Sequence, residues 1–258
     1  MTDFMNHPKV QKCTHMVYKV RRLHPVVWLL LTITALALYV TVVPLSFWHN
    51  IWLTMREHSV LLGMLLFFCL LAVSLVWAQG QNIDAYVFSF FNGDGKERPR
   101  WLDRTMLALT ELGNGIVTVV IALVLYFTVN PHLAYEFIFG TLTLWLVVES
   151  VKSIVKRPRP YIYMENVRVV GVRARGKSFP SGHTSQAFYM ATILTQYFNA
   201  NILAAIVLYI LAVLVGTTRM YVGMHYPRDV LAGAILGTFW GFIGVVVNAV
   251  IFQVIGFY

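Results

Sequence analysis

Residues 133–160 read LAYEFIFGTLTLWLVVESVKSIVKRPRP, an apolar run that ends in a short basic segment. A helix needs about 20 apolar residues to cross roughly 30 Å of hydrocarbon, and this run is long enough. Pro158 and Pro160 stop the helix, because proline has no amide hydrogen to donate. The backbone therefore turns where it leaves the membrane, and this turn can aim Lys152 and Arg159 inward.

The composition of the whole chain places it in a membrane. Of its 258 residues, 58% are hydrophobic and only 12% are charged, whereas about 25% are charged in soluble domains. We therefore expect an all-α, polytopic transmembrane helical bundle. Seven runs are candidate spans: Val26 to Phe47, Val60 to Ala78, Gly115 to Val129, Leu133 to Val151, Thr184 to Phe198, Ile202 to Gly216 and Val230 to Phe252.

The chain divides into four segments by composition: a basic tail (1–25), a transmembrane helix pair (26–78), a polar connector (79–114) and a membrane core (115–258). The connector contains an amphipathic stretch, Asn82 to Phe91, which can lie in the membrane interface or pack beneath the bundle. The two cysteines, Cys13 and Cys69, lie in the tail and in a span. Neither a disulfide nor a metal site is expected from them.

The net charge of +9 is distributed along the chain as in a membrane protein rather than a nucleic-acid-binding protein. With seven spans, 19 of the 20 Lys and Arg residues lie on one side, and only Arg56 lies opposite. The positive-inside rule then places the N-terminus and the basic loops in the cytoplasm. We expect the bilayer, and no nucleic acid, as a partner.

A second polar run, Pro180 to His183, comes directly before the apolar run that begins at Thr184. It would occupy a helix N-terminus, where free backbone N–H groups and the helix dipole favour an anion. Gly182 allows an anion to approach the backbone closely. Alternatively, Ser181 is only a helix cap and His183 only an interfacial histidine.

A third polar run extends from Thr218 to Asp229. Arg219 ends one span and Pro227 opens the next, so His225 lies at the mouth between two helices. Asp229 follows four residues later, and a carboxylate that binds one ring nitrogen makes a histidine a better nucleophile. The alternative is a structural aspartate with a bystander histidine.

The three runs together predict one site, because they fall at the ends of successive spans on the same side of the membrane. They supply cations, helix N–H groups and an oriented histidine, which suit metal-free phosphoryl transfer. Glu149 lies one helical turn before Lys152 and is expected to pair with it. Gly233, Gly237 and Gly241 share one face of the last span, which favours close helix packing.

A competing motif lies between the first two runs. Residues 171–178 read GVRARGKS and match the phosphate-binding pattern G-x4-G-K-S of nucleotide-binding proteins. That pattern requires a helix opening at its end inside a βαβ unit, but Pro180 follows almost at once. We expect no nucleotide, and instead a basic flap over the site that is formed by Arg168, Arg173, Arg175 and Lys177.

The three runs resemble the signature motifs of the type-2 phosphatidate phosphatase superfamily, which includes membrane lipid phosphatases and soluble vanadium haloperoxidases. The resemblance covers roughly Gly115 to Phe252, and Thr218 stands where the family usually has serine. It implies a six-helix phosphatase core, with one extra N-terminal helix in this chain. The matching residues are Lys152, Arg159 and Pro160; Pro180, Ser181, Gly182 and His183; and Thr218, Arg219, His225 and Asp229.

The resemblance also implies a role for each site residue. His225 would form a phosphohistidine intermediate, Asp229 would orient it, and His183 would protonate the leaving group. No metal or other cofactor is expected. The phosphoryl oxygens would be bound by Lys152, Arg159, Ser181, Gly182 and Arg219.

The expected function is therefore hydrolysis of a membrane lipid phosphate or diphosphate. Polyprenyl diphosphate, phosphatidate and phosphatidylglycerol phosphate are the candidate substrates. A phosphotransferase between lipids is one alternative, and a lipid transporter or a catalytically silent scaffold is an alternative of another class. A bacterial plasma membrane is expected; the charge bias favours a cytoplasmic site, whereas the resemblance favours the opposite face.

Overall fold

A computed structural model describes residues 59–255, together with seven isolated positions between residues 27 and 53. For residues 247–255 it describes the backbone alone. The basic tail and the predicted span Val26 to Phe47 therefore lie outside the continuously described residues, as does the predicted extra N-terminal helix.

The described residues form helices and contain no strand, so the predicted all-α bundle is confirmed. The helices are α1 (Ser59–Ser74), α2 (Ala78–Asn92), α3 (Arg100–Glu111), α4 (Gly115–Thr128), α5 (Pro131–Val155), α6 (Pro160–Tyr163), α7 (Gly182–Tyr197), α8 (Ile202–Tyr221) and α9 (Pro227–Ile255). Six of them, α1, α4, α5, α7, α8 and α9, correspond to the six predicted spans that follow the first.

Among the described residues, three segments are long and apolar enough to cross a membrane: α5 continued through α6, α8, and α9 as far as Val246. The count rises to five if two bent pairs each form one span, α1 with α2 (97°) and α3 with α4 (57°). The predicted bounds need correction at several places, and the span ending at Val151 continues to Val155. The span Val60 to Ala78 ends early, because the chain bends after Ser74, and the span ending at Gly216 continues to Tyr221.

Helix α7 forms the centre of the bundle, with nine of its 16 residues buried. At about 24 Å it is shorter than a typical span, and it carries polar side chains that its neighbours satisfy. Gln186 donates hydrogen bonds to the hydroxyls of Thr118 on α4 (3.0 Å) and Thr141 on α5 (2.9 Å). Buried polar groups therefore fix the rotation of α7 within the bundle.

The glycine face of α9 packs directly on α7, as its spacing predicted. A Cβ at Gly237 would lie 2.1 Å from the carbonyl oxygen of Ser185, and one at Gly233 would lie 2.7 Å from that of Ser181. Only glycine permits this approach of two helix backbones. The contact sets the distance between the N-termini of α7 and α9, where the second and third motifs lie.

The predicted polar connector (79–114) contains helices α2 and α3. On α2, Asp84, Phe88 and Asn92 are buried, whereas Tyr86 and Phe90 on the opposite face are 79% and 74% exposed. The amphipathic stretch therefore packs beneath the bundle along one face and presents aromatic side chains outward along the other.

The end of α2 is fastened by Asn92. Its side-chain amide donates to the carbonyls of Arg168 (2.8 Å) and Tyr221 (2.9 Å), and its oxygen accepts from the Arg168 amide (2.8 Å). The connector is thereby joined to the end of α8 and to the chain that precedes α7.

The packing of α9 on α7 predicts that Gly237→Ala destabilises the protein. The added methyl meets backbone that cannot move aside alone, and such overpacking costs about 1–3 kcal/mol. Gly63→Ala on α1 is the control, because nothing lies within 4 Å of its Cβ position. Thermal unfolding in detergent should show a lower Tm for Gly237→Ala only; equal Tm values for the two variants would contradict the packing.

Candidate active site

The three predicted motifs meet at one end of the bundle, where α5 and α8 end and α7 and α9 begin. Two backbone hydrogen bonds join the second motif, and the chain just before it, to the other two motifs. The amide of Ser181 donates to the carbonyl of Asp229 (2.9 Å), and the amide of Ser178 donates to the carbonyl of Arg157 (2.9 Å). Segments far apart in sequence are therefore tied together by their main chains.

His225 lies in the turn between α8 and α9 and is only 2% exposed. The turn is closed by the amides of Met224 and His225, which both donate to the carbonyl of Arg219. Nε2 of His225 lies 3.2 Å from Nη1 of Arg159. Its Nδ1 lies 3.7 Å from Oδ2 of Asp229, so the ring faces a cation with one nitrogen and a carboxylate with the other.

The environment of His225 keeps the ring neutral. Burial is the main cause that lowers its pKa well below the ordinary 6.5, and the charges of Arg159, Arg219 and Lys152 lower it further. Both effects disfavour the imidazolium form. A neutral ring with Arg159 beside Nε2 has its lone pair on that nitrogen, which is the form a nucleophile requires.

Asp229 lies in the first turn of α9 and is fully buried. Its Oδ1 accepts a hydrogen bond from Nη1 of Arg157 (2.6 Å), and its Oδ2 accepts one from the amide of Tyr226 (2.9 Å). The Oδ2 to Nδ1 separation of 3.7 Å is longer than a hydrogen bond. A small shift of the ring would close it.

The three predicted phosphate-binding cations surround His225 and are all buried. Nζ of Lys152 lies 3.0 Å from Glu149, as predicted, and 3.7 Å from the Cβ position of Gly182. Arg159 donates from Nη1 to the carbonyl of Met224 (3.0 Å), and Nη1 of Arg219 donates to the hydroxyl of Thr110 (2.7 Å). These contacts direct positive charge from three elements to one space.

Ser181, Gly182 and His183 begin α7 beside these cations. Ser181 occupies the N-cap position of α7, but its side chain makes no capping hydrogen bond; its oxygen accepts a hydrogen bond from the hydroxyl of Thr184 instead (2.8 Å). The carbonyl of His183 faces the turn between α3 and α4, where a Cβ at Gly113 would come within 2.5 Å. His183 is half-buried.

The segment between α6 and α7 contains the nucleotide-like pattern at residues 171–178. No strand precedes it in the described chain, and α7 begins only at Gly182, after Pro180. The segment is instead anchored to the site: the carbonyl of Gly176 accepts from Nε of Arg159 (3.3 Å). Of its cations, Arg168 pairs with Asp103, and Arg173 lies 5.8 Å over the Tyr161 ring.

Two residues at the site were missed from the sequence, Arg157 and Asp84. Nη1 of Arg157 binds Asp229, and its Nη2 binds Oδ2 of Asp84 on α2 (2.5 Å). The sequence holds one signal for this pair. Asp84 is the only acidic residue of the amphipathic stretch, and a lone acid beside a basic membrane edge indicates an ion pair.

Known proteins of similar sequence support these observations. Residues 133–252 match the model of the PAP2 superfamily. An undecaprenyl-diphosphatase of Sulfolobus acidocaldarius is 26% identical over 72% of this chain and 90% of its own length. A lipid A 4'-phosphatase of Bacteroides thetaiotaomicron is 33% identical over 63% of this chain and 75% of its own.

Two crystal structures share the fold. A transmembrane PAP2 type phosphatidylglycerolphosphate phosphatase from Bacillus subtilis superposes with a TM-score of 0.63 at 23% identity, covering 72% of this chain and 94% of its own. LpxE from Aquifex aeolicus superposes with a TM-score of 0.56 at 29% identity, covering 62% of this chain and 93% of its own. The chain is thus an integral membrane protein that belongs to the PAP2 superfamily.

Proposed function

We propose that this protein is a membrane enzyme that hydrolyses the phosphate or diphosphate of a lipid. The names of its relatives support the class of reaction, since they are an undecaprenyl-diphosphatase, a lipid A 4'-phosphatase and a phosphatidylglycerophosphatase. Polyprenyl diphosphate, phosphatidate and phosphatidylglycerol phosphate are the candidate substrates. The site lies at the end of a bundle whose outer helix surfaces are apolar. This position suits an amphiphile that enters sideways from the bilayer.

The observation that carries the proposal is the placement of His225 between Arg159 and Asp229. Nε2 of His225 attacks phosphorus and forms an N–P bond while the P–O bond to the lipid breaks. His183 donates its proton to the departing oxygen. In the second step water attacks the phosphohistidine, His183 takes the proton of the water, and phosphate leaves as the N–P bond breaks.

The phosphoryl oxygens are bound by fixed groups of the protein. Lys152, Arg159 and Arg219 neutralise the charge that spreads over the equatorial oxygens, and arginine can bind two of them through its planar fork. Gly182 and the first N–H groups of α7 add the positive end of a helix dipole. Divalent metal is not required in this scheme, because these groups supply the charge that Mg²⁺ supplies elsewhere.

We also propose a bacterial plasma membrane as the location. All Lys and Arg residues of the described range 59–255 lie between residues 96 and 228, in segments at the site end of the bundle. The positive-inside rule therefore favours a cytoplasmic site.

His225→Ala tests the covalent step. With a ³²P-labelled lipid phosphate and an alkaline quench, the unmodified enzyme should retain acid-labile label, and the variant none. Phosphate release should fall by at least about 1,000-fold, the scale of losing a nucleophile. His132→Ala is the control, since His132 is an exposed histidine at the other end of the bundle. Unchanged release by His225→Ala would exclude the mechanism.

Chelation tests the absence of a metal requirement. In excess EDTA, phosphate release should continue at its original rate, because fixed cations do the work assigned to Mg²⁺ in other phosphoryl-transfer enzymes. Orthovanadate, which resembles the transition state, should inhibit in the same buffer. Loss of turnover in EDTA that added Mg²⁺ restores would show that the scheme lacks a component.

A further inference from the structure

The orientation of Asp229 depends on one arginine that the reaction scheme does not use. Arg157 lies two residues before Arg159 and is 6% exposed. Its Nη1 donates to Oδ1 of Asp229 (2.6 Å), the oxygen opposite the one that faces His225. Whatever fixes the guanidinium of Arg157 therefore also fixes the carboxylate beside the nucleophile.

The guanidinium is fixed mainly by helix α2. Its Nη2 donates to Oδ2 of Asp84 (2.5 Å) and to Oε1 of Gln81 (3.0 Å). The ring of Tyr226 lies beneath the guanidinium carbon at 4.1 Å, a distance at which cation and ring attract. Arginine can bind one carboxylate with both arms of its fork. Here the two arms are divided between Asp84 and Asp229.

Asp84 is itself held from a second direction. It accepts from the amide (3.1 Å) and Nε (2.7 Å) of Arg228, whose Nη1 donates to the carbonyl of Ser74 at the end of α1 (2.5 Å). Two carboxylates and two guanidiniums thus form a cluster of balanced charge, in which only Arg228 is partly exposed. Such charges are tolerated in the interior only when each is paired.

We propose that Asp84 and Arg157 are positioning residues for the His225–Asp229 pair. Asp84 accepts the hydrogen bond from Nη2 of Arg157, so Arg157 cannot bind both oxygens of Asp229. Oδ2 of Asp229 therefore continues to face the imidazole of His225. The inference rests on the proposed function. It makes Asp84, which lies outside the matched family region 133–252, a residue that positions the catalytic pair.

The cluster also contributes to the electrostatic field at His225. Removing the negative charge of Asp84 leaves the surroundings more positive and lowers the pKa of His225, whereas removing the positive charge of Arg157 raises it. The acid limb of the pH profile of kcat/KM reports the free enzyme. It should therefore move in opposite directions when Asp84 and when Arg157 is replaced. The other charged or titratable groups around the ring and the cluster are Lys152, Arg159, Arg219, Tyr226, Arg228 and Asp229.

The experiment compares Asp84→Asn, Arg157→Gln, their double variant and Asn92→Ala. Asn92 is a matched control because it is also buried on α2 and fastens that helix, but makes no ion pair. We expect kcat to fall about 10- to 100-fold in each single variant, the scale found when a group that orients a metal-binding side chain is removed. KM should change less than about threefold, because the substrate contacts remain.

Further results separate positioning from a merely structural role. The acid limb should move to lower pH in Asp84→Asn and to higher pH in Arg157→Gln. The double variant should lose less activity than the product of the two single losses, because both act through Asp229. Asn92→Ala should lower Tm, yet retain kcat and the position of the limb.

If Asp84→Asn does not fold, Arg157→Lys tests the positioning role instead. It keeps the charge but cannot reach two carboxylates as a fork, so kcat should fall while the acid limb stays in place. Full activity of Arg157→Lys, or an Asp84→Asn variant that behaves like Asn92→Ala, would overturn the inference. Failure of the proposed function looks different, since His225→Ala would then retain phosphate release.

Discussion

The buried ion pair between Arg157 and Asp229 is the interaction on which the arrangement of the site depends. It joins the chain after α5 to the first turn of α9 and is fully enclosed by protein. Taking such charges out of water costs several kcal/mol per ion unless good geometry and further hydrogen bonds compensate. Asp84 on one side and the Tyr226 amide on the other provide that compensation. Loss of any partner would leave an unpaired charge in the low-dielectric interior of the bundle.

Backbone contacts between α7 and α9 connect this ion pair to the rest of the bundle. The glycine face of α9 lies against α7, and the amide of Ser181 binds the carbonyl of Asp229. The positions of the two helix N-termini are therefore coupled at the level of the main chain. Cationic side chains from α5 and α8 then close the space, so a phosphate would meet rigid donors from four elements. This rigidity fits a reaction in which positioning and charge stabilisation do most of the catalytic work.

Much of this could be predicted from the sequence, because membrane spans and helix ends carry strong signals. Six apolar runs became helices, and Lys152, Arg159, Ser181, Arg219, His225 and Asp229 came together where their runs end. The bend after Ser74 was missed, since hydrophobicity continues beyond the point where the helix turns into the interface. Asp84 and Arg157 were missed for another reason. Their partnership spans 73 positions, and no local spacing links an acid in the connector to an arginine in a basic run.

We propose that His183 and His225 face one phosphate within a cradle of fixed cations. A crystal structure of the protein with orthovanadate bound would show whether the two rings share one anion. We expect vanadium to be bonded to Nε2 of His225, with its equatorial oxygens in contact with Lys152, Arg159 and Arg219, and with the ring of His183 at the opposite apex. Vanadate bound away from His225, or a His183 ring directed into a different compartment, would contradict it.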